Sequence, residues 1–274
     1  MLNSYVFTIK MHINRVIQAL LLALTVLMIS CPLQAKEKVI VWSYYEFPPF
    51  VTSVTDHHGL SFDFVEMLNL FVDNNNYEFV LKLVPRKRLD TYLANNNKGI
   101  VLWVNPLFFN DVKKIRYHWT NNLLADEQSF ISRLKDPFIF KGATSLMKPG
   151  FVLGGIRGHF YKGIQDEIDS GLIKRNDVNQ EKQNIGMLLT NRVDTFLIPY
   201  TAMKYYEKEM KLSDKIYYSP KPLISFTRSI MVNHDPEVFN FLSKTVDSLA
   251  KNEYWKALLH QYNLQLTRDK ADDL

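Results

Sequence analysis

Side chains able to grip a small molecule gather at a few places along this chain. Tyr44, Tyr45, Phe47 and Phe50 surround the pair Pro48-Pro49. Trp103, Asn105, Phe108 and Phe109 stand at the end of the apolar run 99–104. Gly158, His159, Phe160 and Tyr161 follow a second apolar run, and Arg86 and Arg88 follow Pro85. Together they offer apolar walls, rings for stacking and donors for an anion, which is the make-up of a small-molecule pocket. Tyr44, Phe50 and Trp103 are the expected walls, and Arg86 and Arg88 are reserve anion contacts. Catalytic patterns are missing: there is no Gly-x-Ser-x-Gly, no His-Glu-x-x-His and no thiol nucleophile. His57-His58 stands in a polar loop without a third metal ligand, and Glu46 is a lone carboxylate beside the aromatic loop. Neither a dinucleotide fingerprint nor a P-loop occurs, so no metal or cofactor is expected.

These side chains must be held by strands and helices in alternation. Val39 to Trp42 reads as a strand covered on both faces, ended by two prolines that cannot donate to a ladder. A helix follows, capped by Ser61, with Phe64, Met67, Leu68 and Phe71 at helical spacing. Strand 78–84, helix 86–94 and strand 99–104 continue the pattern, which implies a mostly parallel sheet. After a strand at 128–133 the pattern restarts. It runs through strand 151–156, a helix from Gly158 to Ile168, strand 173–178, helix 185–189 and strand 195–198. A strand at 226–233 leads back. Asp235-Pro236 then caps one helix and Asn252 caps a last one carrying Trp255 and Leu258. The tail 268–274 is charged and expected to fray. In open sheets of this kind ligands bind at the carboxyl ends of the strands, where the aromatic loops stand.

The opening Val39-Ile-Val-Trp-Ser-Tyr-Tyr-Glu-Phe-Pro-Pro-Phe50, with Phe62-Asp63 at the start of the first helix, resembles the periplasmic solute-binding proteins of family 3, the polar amino-acid-binding type. The resemblance implies an α/β, two-lobed type II fold, each lobe a mostly parallel sheet flanked by helices, joined by two crossover strands. It divides the chain into residues 36–133 plus 226–274 for lobe 1 and 134–225 for lobe 2. It places Lys113 where the family's carboxylate-gripping arginine stands, with Arg116 three residues away. Lysine is a point charge and lacks the bidentate fork. It sets Gly158-His159-Phe160 in the anion-binding turn. It also leaves Pro199 and Tyr200 where an aspartate for the ligand's amino group usually stands, while Asp194 matches a structural aspartate.

Residues 1–35 hold Lys10, Arg15 and no acid, then an apolar run from Leu20 to Ile29 and the small residue Ala35. This is a signal-peptide pattern with cleavage after Ala35, which places the chain in the periplasm. The apolar core is too short for a membrane span. Cys31 is the sole cysteine, and Met28-Ile29 before it is a poor lipobox. Removing the leader lowers the formal charge from +5 to +3 (31 basic minus 28 acidic). That excess is too mild for nucleic acid.

The expected function is non-enzymatic: a monomer that closes two lobes over a small-molecule solute and delivers it to an ABC importer, through its permease, or to a membrane sensor. The alternatives are a dehydratase-like enzyme on the same fold, or an accessory protein with a degenerate cleft. The expected solute is anionic or neutral with a ring or apolar part, held by stacking and by the Gly158–Phe160 turn.

Overall fold

The computed structural model describes residues 36–44 and 46–264, together with residues 17 and 18, which are helical. The leader with its cleavage at Ala35, Cys31, Tyr45 and the tail 268–274 lie outside the described residues. Strand β1 (Glu37–Ser43) enters the interior, and β3 (Gly99–Val104) is buried at every position. That is what an unbroken Ile-Val-Leu-Trp-Val run requires when both faces are covered. Between them lie α1 (Leu60–Leu70), β2 (Tyr77–Leu83) and α2 (Arg86–Ala94).

The short β4 (His118–Trp119) and the long β5 (Leu124–Arg133) follow. Next come β6 (Val152–Ile156), α3 (Gln165–Asp169), β7 (Lys174–Val178), α4 (Glu181–Leu189) and β8 (Thr195–Pro199). Like β4, two further elements were not announced by the apolar pattern: α5 (Tyr200–Glu209) and β9 (Ile216–Tyr218). Helix α5 reads Tyr-Thr-Ala-Met-Lys-Tyr-Tyr-Glu-Lys-Glu and buries only Thr201, Ala202 and Met203, which is too narrow a stripe to stand out. The chain closes with β10 (Ile224–Asn233), α6 (Pro236–Ser248) and α7 (Glu253–Gln261). The caps expected of Asp235 and Asn252 are present: their side chains accept from the Val238 and Trp255 N–H groups.

The strand order is β2-β1-β3-β10-β5-β8-β6-β7, with β4 added beside β10 and β9 beside β5. Strands β1 and β3 are parallel, as are β6, β7 and β8. Strand β10 pairs antiparallel with β5 through Ile224–Arg228, then with β3 through Ser229–Asn233. Strand β5 likewise pairs with β10 through Leu124–Gln128 and with β8 through Gln128–Ser132. Each of these two strands therefore changes partner midway, and together they form the ribbon that joins the two halves of the sheet.

Two local expectations are corrected. Ser61 is not a cap; α1 begins at Leu60 after Gly59, and Ser61 is buried inside the first turn. Its hydroxyl accepts from Trp103 Nε1 at 2.9 Å, satisfying an indole that burial would otherwise leave unpaired. Gly158 does not open a helix either, since α3 starts only at Gln165 and lasts five residues. The intervening loop is tied back by Tyr161, whose hydroxyl accepts from the Ile156 N–H at 3.0 Å.

Trp103 is the centre of the first half's aromatic core. Its ring lies 5.2 Å from Phe50, 5.0 Å from Phe64 and 6.2 Å from Trp255, the last nearly parallel. Trp103→Ala should therefore cost about 3–5 kcal/mol of stability, as for other buried tryptophans. Urea unfolding measures it, and a loss below about 1 kcal/mol would place the ring outside the core.

Candidate functional site

Arg228 and Asp126 meet where the two crossover strands pair. Arg228 donates from Nε and Nη2 to Asp126 Oδ2 at 2.8 and 2.6 Å, and from Nη1 to the Trp103 carbonyl at 2.8 Å. Both side chains are buried. The guanidinium is enclosed by the rings of Phe47, Phe50 and Phe226, with centroids at 4.9, 4.9 and 5.0 Å. Arginine suits such a place because its flat, weakly hydrated cation stacks on rings while its edge donates. Asp126 is satisfied from a third side by α5, whose Thr201 gives its N–H at 3.2 Å and its hydroxyl at 2.8 Å.

The Trp103 carbonyl reaches Arg228 because β3 bulges there. The register against β10 slips between Ser229 and Met231, and Trp103 takes φ +59°. That left-handed conformation is strained for so bulky a residue. It turns the carbonyl toward the ribbon and the indole toward Ser61.

Loops at the carboxyl ends of the parallel strands flank this centre. After β1 come Tyr44 and Phe50; Tyr44 is half-buried against Phe109, whereas Phe50 is buried behind the Arg228 guanidinium. Asn105, after β3, accepts from the Leu107 N–H and donates to the Thr227 carbonyl, tying that loop to β10. Arg86 is engaged: it donates to Asp90 and to the Phe108 carbonyl and lies 4.3 Å over the Phe109 ring. Lys113 is exposed on a loop organised by Asp111, whose carboxylate accepts from the N–H groups of Ile115, Arg116 and Tyr117 and from the Trp119 indole. Burial alone would raise the Asp111 pKa, but these donors, Trp119 foremost, hold it below its ordinary value.

The second half contributes the loop after β6. Gly158 has φ +78°, and Phe160 projects outward at 71% exposure. The five-residue α3 supplies no helix N-terminus behind Gly158-His159-Phe160, so the expected anion seat lacks its physical basis. His159 is exposed, yet the protein around it and then the positive Arg175 lower its pKa. Arg175 is itself paired with Asp177 at 2.7 Å and donates to the His159 carbonyl. Buried Tyr161 has its phenol pushed up to about 12, first by burial. Of the lone groups weighed for catalysis, His58 Nδ1 is hydrogen-bonded to Thr52 Oγ1, and Glu46 is exposed with one oxygen accepting from the Val54 N–H.

Glu181 is the group that sequence reading passed over. It is the first residue of α4, only half-buried by surface yet deep enough that its carboxyl is raised to about 7. Burial is the main cause; the positive Arg228 opposes it and the negative Asp126 adds to it. Tyr161 and Tyr206 also feel its charge. No described side chain or backbone group donates to its carboxylate. Arg228 could have been found in the sequence: one cation inside the apolar run Phe226–Val232 must bring a buried partner with it. Asp126, Thr201 and Glu181 carry no such signal.

No protein-family model and no curated protein matches this sequence. Solved structures do match in fold. A binding component of an ABC transporter from Wolinella succinogenes, complexed with lysine, is 15% identical at TM-score 0.63, over 86% of this chain and 99% of that one. An ABC uptake transporter substrate-binding protein from Streptococcus pneumoniae with bound histidine is 12% identical at TM-score 0.62, over 82% and 92%. An ancestral amino-acid-binding protein, a precursor of cyclohexadienyl dehydratase, is 14% identical at TM-score 0.61, over 82% and 95%. The chain has their two-lobed, type II periplasmic-binding-protein fold, as its resemblance to family 3 implied.

Two outcomes follow for stability. Asp126→Ala leaves a buried guanidinium without its counter-charge and should cost about 3–5 kcal/mol, whereas pairing it with Arg228→Met should recover part of that loss. Denaturant titration of the three variants checks this. The Glu181 carboxyl, raised from 4.5 to about 7, binds more protons folded than unfolded, so its contribution falls as pH rises through that window. Glu181→Gln should therefore gain stability over the parent by roughly 1–2 kcal/mol at pH 8 and nothing at pH 4, the figure allowing for solvent contact. Parallel melting curves across pH give the difference directly.

Proposed function

We propose that this protein is a non-enzymatic periplasmic binding protein that closes its lobes, residues 36–133 plus 226–274 and residues 134–225, over a small amino-acid-like or other organic solute. It then presents the closed form to an ABC importer or a membrane sensor. The observation that carries this reading is the ribbon of β5 and β10, whose partner switch is pinned by Arg228, Asp126 and Thr201. A two-strand ribbon lets each half of the sheet move as a body while its core stays intact. Similar folds that hold lysine or histidine support an amino-acid-like solute. Among the described residues no helix is long and apolar enough to cross a membrane, which fits an exported protein acting beside one.

A second reading is favoured by Glu181 alone. A carboxyl titrating near 7 can donate a proton at neutral pH, as a dehydratase acting on prephenate or arogenate would need. Turnover of either compound, lost in Glu181→Gln, would establish it.

Native mass spectrometry of the purified protein, followed by extraction, should reveal a co-purified small molecule. Adding that molecule back to ligand-free protein should reduce the radius of gyration in solution scattering and leave the far-ultraviolet circular dichroism unchanged. Identical scattering profiles across a broad solute panel would favour a degenerate cleft.

A further inference from the structure

We propose that the turn 110–117 docks this protein on a bilayer surface that carries anionic lipid, by a face outside the solute cleft. Val112 and Ile115 stand on this turn 67% and 80% exposed. Lys113, Lys114 and Arg116 alternate with them and are exposed as well. Single exposed aliphatics are ordinary, but two of them interleaved with three cations in five consecutive residues form an interfacial pattern. The aliphatics can enter the boundary between headgroups and acyl chains while the cations meet lipid phosphates. The turn is also rigid. Asp111 is buried, its carboxylate accepts from the N–H groups of Ile115, Arg116 and Tyr117, and its carbonyl accepts from the Lys114 N–H at 2.7 Å. The five exposed side chains are therefore presented in a fixed arrangement, and docking them costs little further ordering.

Strand register places the turn away from the cleft. The chain leaves β3 at Val104, its carboxyl end, and re-enters the sheet in β4, where His118 and Trp119 pair with Val232 and Met231. Those two residues also pair with Ile100 and Val101, near the amino end of β3. Between these points the chain crosses one face of the half-sheet, where Phe109, Tyr117 and Trp119 pack in one cluster with Leu89 and Leu93 of α2. Charge gathers on this stretch. Residues 82–117 hold eight basic and two acidic residues, a formal +6 against +5 for the whole chain. Both acids are engaged, Asp111 inside the turn and Asp90 by Arg86. Among the described residues no ion pair holds Lys113, Lys114 or Arg116, nor Lys87 and Arg88 on α2. Arg116 lies 5.2 Å from the Tyr117 ring, which leaves its charge outward-facing and unmet. An anionic surface is the complement of this face.

The test is co-sedimentation of the full, purified chain with protein-free vesicles, in the absence of any solute. Vesicles of phosphatidylcholine with about one-third phosphatidylglycerol should bind it, and pure phosphatidylcholine at least tenfold less, since each lysine or arginine near an anionic surface contributes about fivefold. Raising sodium chloride to about 0.5 M should release most of the bound protein. Lys113→Gln with Lys114→Gln should lose at least tenfold in affinity for the anionic vesicles. Ile115→Ser, which leaves the charge unchanged, should lose severalfold and make the remaining binding more salt-sensitive. Both changes lie on exposed side chains, so thermal unfolding should match the parent, and the comparison with the parent subtracts any contribution from residues 1–35. Absence of vesicle binding, or anionic-vesicle binding that the variants leave intact, would overturn the proposal. Retention by native membranes through this turn, without retention by protein-free vesicles, would assign it to a protein partner and overturn the lipid reading.

Discussion

A guanidinium buried at the seam between two half-sheets dictates much of what surrounds it. An ionised group in a protein interior is tolerated only when it is paired and its hydrogen bonds are met. Arg228 therefore needs Asp126 on the neighbouring strand, a carbonyl from β3 and a lining of flat rings. Asp126 in turn draws the first turn of α5 toward the ribbon through Thr201. Because β10 changes partner at Arg228 and Ser229, this cluster stands where one strand passes from one half of the sheet to the ribbon. A hydrophobic pair of similar volume can match such an ion pair in stability. What it cannot supply is direction: the charged pair fixes the register of β5 against β10 by hydrogen bonds that a slipped strand would break.

The strain at Trp103 belongs to the same arrangement. A left-handed tryptophan costs on the order of 1–3 kcal/mol and persists only where its surroundings fix it. Here three contacts do so: the carbonyl bond to Arg228, the indole bond to Ser61 and the rings of Phe50, Phe64 and Trp255. The bulge thus connects the aromatic core of the first half to the polar centre of the ribbon. Ser61, read from the sequence as a cap, is instead required by that buried indole.

The alternation of apolar runs made most strands and the terminal helices legible, since β3, β6 and β8 are buried at nearly every position and therefore nearly continuous in apolar residues. Helix α5 was hidden because its buried stripe is three residues wide and its remaining face is charged. The loop after β6 misled for a different reason. Its glycines suggest a helix start, but Tyr161 folds back on Ile156, a contact with no local sequence mark. Among site residues, Phe50 and Trp103 are near the centre, but as its buried backing. Lys113 is an exposed member of a loop wound around Asp111. The polar centre itself pairs residues 102 positions apart, beyond the reach of any periodicity.

Counting cationic side chains in the sequence suggests an anion site; counting their partners in the fold removes several of them from consideration. Arg86, Arg175, Arg228 and Lys204 are each held by a carboxylate of the chain itself. A paired arginine presents little net field to a ligand, and breaking the pair to bind one would leave its carboxylate unpaired, at greatest cost for the buried Asp126.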